Sequence, residues 1–450
     1  MADKLFGTDG VRGVANKELT PLLAYSLGVA AAKVLGRGHT PRFVVGRDTR
    51  ISGTLLEAAL SAGISAMGGE IVSADVVPTP AVASITRERG SDAGIVISAS
   101  HNPFPDNGIK FFGPDGYKLD DALEAEIEAA VPGALAAVGP SGAGVGRILR
   151  DPSLASHYAA HLEETMGQVR LNGVKVVVDA ANGANYKVGS AVLSDLGADL
   201  VCINCSPDGL NINDGCGSLH PAQMQALTLR EGAAIGLAFD GDADRVMLSD
   251  ENGRLIDGDR VMLIVGRHLA NQGKLHGNTV VGTIMSNMGL EVALRERGLC
   301  LIRTAVGDRY VCEAMRRGGY TLGGEKSGHI IFGSLTTTGD GLLTALQVLK
   351  VMIETGQPLS RLADGMSEYP QILLGVRVRD RALWSHDSEI VGAIRGAETA
   401  LSGQGRINVR ASGTEKLVRV MVEGPDQGRI EAIARDIAGL IDRKTGEERS

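Results

Sequence analysis

Three aspartates spaced two residues apart follow an apolar run. Ala234-Ile235-Gly236-Leu237-Ala238-Phe239 leads into Asp240-Gly241-Asp242-Ala243-Asp244-Arg245. In an extended segment, residues i, i+2 and i+4 point to one side. Three carboxylates converging there repel one another unless a cation sits among them. A hard divalent ion with oxygen ligands resolves the repulsion, and Mg²⁺ is the usual one beside phosphates. Other readings fit the same residues. An EF-hand loop also runs D-x-D-x-D, and Glu251 stands at its twelfth position, but Arg245 occupies the sixth, where that loop needs glycine. A phosphatase with an aspartate nucleophile and a solvated acidic turn are the remaining alternatives.

A second stretch offers a nucleophile. Gly94 to Ile97 is apolar and runs into Ser98-Ala99-Ser100-His101-Asn102-Pro103. Proline has no N–H and stops a regular element. Asn107-Gly108 then marks a turn, which lets Lys110 fold back. Ser100 is therefore expected on a loop at the carboxyl end of a strand, where α/β proteins place their chemistry. A serine hydroxyl flanked by His101 and Lys110 suits carrying a phosphoryl group; the plain alternative is a polar loop serine.

Two further patches carry recognition groups rather than bond-making ones. In Gly323-Gly324-Glu325-Lys326-Ser327-Gly328-His329, an extended backbone would place Glu325, Ser327 and His329 on one face, with Lys326 turned away. Carboxylate, hydroxyl and imidazole together suit sugar hydroxyls. Arg410-Ala411-Ser412-Gly413-Thr414-Glu415, with Arg419 beyond it, supplies a forked cation, two hydroxyls and glycine-flanked N–H groups. That is the inventory for holding a phosphate monoester. For each patch, a polar surface turn is the alternative.

The elements that must position these loops repeat one scheme. A chain of 450 residues suggests three or four domains. Strand-like and helix-like patterns alternate through residues 1–151, 152–254 and 255–368, so three consecutive α/β domains with mixed, partly parallel sheets are predicted. From Tyr369 to the end, two strand–helix pairs predict a smaller α+β domain. Each segment carries one of the four loops: the serine loop, the aspartate loop, the Glu325 loop and the Arg410 loop, in that order.

Composition narrows the class. Hydrophobic content of 44%, charged content of 22% and a net charge of −8 fit a globular protein and show no basic face for nucleic acid. No apolar stretch reaches membrane-spanning length, and Met1-Ala2-Asp3-Lys4 lacks a signal region, so a cytoplasmic location is expected. Five cysteines do not make a disulfide framework. Cys202 and Cys205 form a C-x-x-C, but a zinc site lacks a well-spaced fourth ligand, with only His220 near. They are read as small hydrophobes ending a buried strand, Leu200–Cys205. His157 and His161, at i and i+4, lack the glutamate of H-E-x-x-H and are read as ordinary helix residues.

Along its whole length the chain resembles the α-D-phosphohexomutases, and within them the branch acting on glucosamine phosphates. The serine, aspartate, Glu325 and Arg410 loops occur in that family's order, and Leu5–Gly13, Cys216–Pro221 and Val306–Arg309 are similar to the glucosamine branch. The resemblance implies four domains around a central cleft and a phosphoserine at Ser100. It implies that Asp240, Asp242 and Asp244 hold Mg²⁺ together with an oxygen of that phosphate. Arg12, His101, Lys110 and Arg245 match positions around the phosphoryl group, with Lys110 as acid/base. Glu325, Ser327 and His329 match the sugar-reading loop, and Arg410, Ser412, Gly413, Thr414 and Arg419 match the clamp on the non-reacting phosphate. The implied reaction is the reversible interconversion of glucosamine 6-phosphate and glucosamine 1-phosphate through a sugar bisphosphate, feeding UDP-N-acetylglucosamine synthesis. Mannose or glucose phosphates are the alternative substrates, and sugar-phosphate binding without turnover is the alternative class. The resemblance is compatible with a homodimer. The chain departs from the family's usual pattern at Lys326, Ala411 and Lys416.

Overall fold

The computed structural model describes residues 5–7, 9–401, 403–412 and 416–446. The chain forms two compact units: residues up to Thr283 together with Thr304–Asp364, and Ile284–Arg303 together with the residues from Gly365 on.

In the first unit, a six-stranded sheet has the order Val11–Val14, Asp106–Phe112, Ala93–Ile97, Arg42–Arg47, Glu70–Val76, Ile148–Arg150. Asp106–Phe112 is antiparallel to both its neighbours, and the pairs beyond Ala93–Ile97 are parallel. Ala93–Ile97 is buried at every position. This explains why it reads as an unbroken apolar run rather than an alternation.

A second sheet has the order Leu255–Ile256, Val246–Asp250, Ile235–Phe239, Lys175–Asp179, Asp199–Ile203. Its central strand, Ile235–Phe239, is again buried throughout and delivers the aspartates at its carboxyl end. The strand expected over Leu200–Cys205 ends at Ile203 and is not buried: Cys202 is exposed and Cys205 half-buried. It lies at the sheet edge with a single neighbour, so fewer groups cover it than cover the central strands. A third set pairs Thr279–Thr283 in parallel with Leu322–Gly324, which pairs antiparallel with Ile330–Phe332.

In the second unit, the antiparallel strands Gln371–Arg377, Leu417–Glu423 and Arg406–Ala411 form a sheet with Leu417–Glu423 in the middle. Helices Ser388–Leu401 and Gln427–Thr445 cover it. Val418, Val420 and Val422 face the core with Ile430, Ile437 and Ile441. The period of two therefore turns Arg419 to the opposite face. No helix among the described residues is long and apolar enough to cross a membrane.

Candidate active site

The serine loop is fixed from beneath by two buried charges. Ser100 has a φ of 52°, in the left-handed region, so its backbone needs outside support. The Ser100 N–H donates to Ser98 Oγ (2.9 Å), and Ser98 Oγ donates to Asp48 Oδ2 (2.5 Å). Asp48 accepts from Arg50 Nε (2.9 Å). The other two nitrogens of Arg50 donate to the carbonyls of Pro103 (2.7 Å), Ser100 (2.9 Å) and Asn102 (2.9 Å). Asn213 Nδ2 donates to the Ser100 and Asn102 carbonyls as well (2.9 and 3.0 Å). Asp48 and Arg50 are each 1% exposed. Removing one partner of such a pair leaves an uncompensated buried charge. Arg50→Met should therefore destabilise the protein by about 3–5 kcal/mol, read as a lower urea midpoint, and an unchanged midpoint would show that the pair contributes nothing.

The aspartates converge, but not through an extended backbone. Residues 240–245 form a tight turn about Ala243, whose φ is 56°, and the Ala243 N–H donates to the Asp240 carbonyl (3.1 Å). A turn gathers three carboxylates more closely than strand alternation would: one oxygen from each of Asp240, Asp242 and Asp244 lies within 4.8 Å of the others. Neighbouring backbone holds this turn tightly. A Cβ on Gly241 would stand 2.6 Å from the Ser100 carbonyl oxygen, and one on Gly183 would stand 2.4 Å from that of Gly241. Glycine alone fits both places.

Ser100 Oγ donates to Asp240 Oδ2 at 2.7 Å, which joins the serine loop to the aspartate turn. Asp242 Oδ2 accepts from Lys110 Nζ (2.9 Å) and Thr79 Oγ1 (2.7 Å). Burial, then the neighbouring Asp244 and Asp242 charges, pushes Asp240 well above the carboxylate range. Burial also opposes charge on Asp244, yet His329, Lys110 and Arg245 hold it below that range. Two buried oxygens, Asp242 Oδ1 and Asp244 Oδ1, have no hydrogen-bond partner. Carboxylate oxygens without donors, next to a third carboxylate, suit a hard divalent cation.

Cations ring the trio. Burial opposes the charge on Lys110, but Asp242 and Asp9 hold it protonated above the usual lysine range. Arg245 Nη1 lies 2.7 Å from His101 Nδ1, and Ser100 Oγ lies 3.4 Å from the same nitrogen. Burial, with Arg245 and Arg12 beside it, lowers His101 to about 4, so its imidazole is neutral at pH 7. Arg12, opposite Gly108 in the sheet, pairs with Asp9, which also lies 3.4 Å from Lys110 and 2.7 Å from Lys118.

The Glu325 loop is a hairpin turn rather than an extended segment. The Glu325 N–H donates to the His329 carbonyl (2.9 Å) and the Gly328 N–H to the Glu325 carbonyl (3.0 Å). Gly328 has a φ of 90°, and a Cβ there would stand 2.2 Å from the Val246 carbonyl oxygen, so the hairpin sits directly on the strand after Arg245. In a turn the three side chains do not share one face. Glu325 Oε1 accepts from the Gly307 N–H (3.0 Å), and Ser327 is exposed. Lys326 turns aside to Asp257 (3.6 Å). His329 is buried, with Nδ1 3.5 Å from Asp244 and Nε2 accepting the Gly339 N–H (3.0 Å).

In the second unit, Arg410 stands directly opposite Arg419 in the sheet register. Burial, then Arg419, lowers the pKa of Arg410. Like charges directly opposite are unfavourable, and an anion between them would relieve that. Ser412 is buried, its N–H donating to the Leu417 carbonyl (2.7 Å) and its carbonyl accepting from Arg381 Nη1 (3.0 Å). Gly413 and Thr414 lie outside the described residues.

The first unit thus brings Ser100, His101, Lys110, the three aspartates and Arg245 into one connected cluster, with Arg12 and His329 one contact away. Sequence reasoning passed over Asp9, Asp48, Arg50, Thr79 and Asn213. An Asp-x-Arg directly after the strand Arg42–Arg47 was the available signal for Asp48 and Arg50.

Four family models match consecutive parts of the chain. They are the phosphoglucomutase/phosphomannomutase alpha/beta/alpha domains I (residues 3–135), II (156–253) and III (257–369), and the C-terminal domain (373–440). The phosphoglucosamine mutase of Pelotomaculum thermopropionicum is 53% identical over 439 residues, covering 97% of this chain and 98% of the relative. That of Heliobacterium modesticaldum is 50% identical over 458 residues, covering 98% and 99%. Among solved structures, a phosphoglucomutase/phosphomannomutase family protein from Burkholderia thailandensis has a TM-score of 0.81 at 24% identity, covering 98% of this chain and 97% of that one. The N-acetylphosphoglucosamine mutase of Aspergillus fumigatus, solved with GlcNAc-6P and magnesium, has a TM-score of 0.68 at 17% identity, covering 98% and 96%. At these identities the two structures show the shared fold.

Proposed function

Since the chain belongs to the phosphoglucomutase/phosphomannomutase family, we propose that it catalyses the reversible interconversion of D-glucosamine 6-phosphate and D-glucosamine 1-phosphate. It is a sugar-phosphate mutase, an isomerase, and relatives about half identical over the full length are phosphoglucosamine mutases. The observation that carries the mechanism is Ser100 Oγ, 2.7 Å from Asp240 at the edge of a buried three-carboxylate group.

In this reading Ser100 carries the phosphoryl group and gives it to the free sugar oxygen. The other phosphate of the resulting bisphosphate returns to Ser100. Asp240, Asp242 and Asp244 hold Mg²⁺, which supplies positive charge for the phosphoryl oxygens when bound. Arg12 and Arg245 orient the same oxygens. Lys110 holds a proton at Nζ and exchanges it with the attacking or leaving sugar oxygen. Neutral His101 accepts from Arg245 and keeps that guanidinium aimed at the serine loop. Glu325 and Ser327 meet sugar hydroxyls, and His329 steadies Asp244 from below. Arg410, Ser412, Gly413, Thr414 and Arg419 hold the phosphate that is not moving. The division into four domains at 151/152, 254/255 and 368/369 is part of the same reading, and the four consecutive family matches support it.

The test is one preparation assayed with Mg²⁺ on glucosamine, glucose and mannose 6-phosphates, each primed with its own 1,6-bisphosphate. The glucosamine substrate should turn over at least about tenfold faster by kcat/KM, a difference of roughly 1.4 kcal/mol in transition-state binding. Equal rates on all three would overturn the glucosamine assignment, and no turnover of any would leave a sugar-phosphate binding protein.

A further inference from the structure

The C-x-x-C at residues 202–205 has no place in the phosphoryl-transfer reading, and its surroundings are those of a reactive pair. We propose that Cys202 and Cys205 form a reversible thiol–disulfide site, with Cys202 as the attacking thiol and Cys205 as the resolving one. Cys202 is the last residue but one of the edge strand Asp199–Ile203 and is exposed, while Cys205 is half-buried. Between them Asn204 takes a left-handed φ of 51°. Three fully extended residue steps would hold the ends about 10 Å apart, beyond the roughly 7 Å that a disulfide allows between Cα atoms; the left-handed residue just past the strand end breaks that extended run.

The two sulfurs are not equivalent. The Ser190 hydroxyl lies 3.6 Å from Cys202 Sγ, whereas Cys205 Sγ lies 3.1 Å from the Ile203 carbonyl oxygen. Hydrogen bonding from Cys205, helped by Ser190, pulls Cys202 down to about 6, and the same contact pushes Cys205 upward. An exposed thiolate beside a thiol that keeps its proton is the asymmetry of a peroxide- or disulfide-reactive pair. Metal binding does not account for it. Among the described residues, the group of three or more His, Cys, Asp or Glu side chains with converging ligand atoms is the aspartate trio, which contains neither cysteine.

The oxidant is a hydroperoxide. The Cys202 thiolate attacks one peroxide oxygen: an S–O bond forms, the O–O bond breaks, and the departing hydroxide takes a proton to become water. Cys205, losing its proton, attacks the sulfur of the Cys202 sulfenic acid. The S–S bond forms, the S–O bond breaks, and a second water leaves. Two thiols have lost two electrons and two protons, and hydrogen peroxide has become two waters.

The pair is tied to the catalytic side of the sheet. The Asn182 N–H donates to the Asn204 carbonyl (2.6 Å), and the Ser206 N–H donates to Asn182 Oδ1 (3.1 Å). Two residues on, the Ala184 N–H donates to the carbonyl of Gly241, between Asp240 and Asp242 (2.8 Å).

The experiment treats the full-length reduced protein with hydrogen peroxide at pH 7, caps remaining thiols, and locates modifications by fragment-ion mass. Cys300, which is also exposed, serves as the internal control for exposure alone. The expected result is a Cys202–Cys205 bridge, lighter by two hydrogens and reversed by dithiothreitol. It should form at least about tenfold faster than Cys300 is oxidised, as befits a site with thiolate character. Cys205→Ser should stop at a sulfenic acid on Cys202 that dimedone traps. Oxidation of Cys202 no faster than Cys300, or over-oxidation of Cys202 with no bridge to Cys205, in the wild-type protein would overturn the proposal without recourse to any variant.

Discussion

Ser100→Ala protein should carry no phosphate and lose turnover by a factor on the order of 10⁴ or more, as removal of an enzyme's nucleophile does. The size of the effect follows from where the hydroxyl sits. Its oxygen donates to Asp240 Oδ2 at 2.7 Å, at the edge of the aspartate trio. Ser98, two residues back, is committed to Asp48 and to the Ser100 N–H and cannot substitute. The fold should survive. The left-handed backbone at residue 100 is already held for a non-glycine residue, and Arg50 and Asn213 grip its carbonyl rather than its side chain. The change leaves Asp240 without its hydroxyl donor, but burial has already raised that carboxyl toward its neutral form, which limits the cost. Intact-mass measurement should show one phosphate on wild-type protein incubated with glucose 1,6-bisphosphate and none on the variant, with unchanged circular dichroism. Wild-type turnover in the variant would end the phosphoserine mechanism.

Much of this arrangement was legible before the structure, because four loops follow elements whose apolar runs or alternation are strong. Ala93–Ile97 and Ile235–Phe239 are buried on both faces, so their ends were easy to place and Ser100 and Asp240 with them. The small antiparallel sheet at the carboxyl end was legible for the opposite reason: Val418, Val420 and Val422 alternate with polar or larger residues. What sequence could not reach was backbone reversal. The aspartate turn rests on a left-handed alanine and the Glu325 hairpin on Gly328, and local pattern announces neither. Alternate side chains share a face only on extended backbone, and both places are the turns that stood as the alternative. Asp48, Arg50 and Thr79 were missed because the serine-loop and aspartate-turn groups they hold are between 50 and 163 residues away in the chain. The edge strand Asp199–Ile203 misled for a simpler reason: Leu200, Val201 and Ile203 are as apolar as a central strand, yet an edge has only one neighbour.

Asp242→Asn should weaken Mg²⁺ binding by at least about tenfold, since disturbing even the groups that merely support a metal ligand costs ten- to a hundredfold. The carboxylate serves two sides at once. Its Oδ2 accepts from Thr79 Oγ1 (2.7 Å) and Lys110 Nζ (2.9 Å), while its Oδ1 is buried with no hydrogen-bond partner. An asparagine amide must place its NH₂ on one side or the other. Turned toward the aspartates, it presents donors to the cation and removes an oxygen ligand. Turned the other way, it sets N–H groups against the Lys110 ammonium and the Thr79 hydroxyl. Either choice also removes one negative charge from the trio and from the set that keeps Lys110 protonated. Turnover should therefore fall in the variant even at saturating Mg²⁺, and the shortfall at saturation reports on Lys110 rather than on occupancy. Calorimetric titration of the phosphate-free variant isolates the metal term from turnover. In wild-type protein, chelation should abolish activity while leaving the urea midpoint nearly unchanged, because Thr79, Lys110, His329 and Arg245 already hold the trio in place without the ion. An Mg²⁺ affinity equal to wild type in Asp242→Asn would remove Asp242 from the ligand set and leave its role to the anchoring of Lys110 alone.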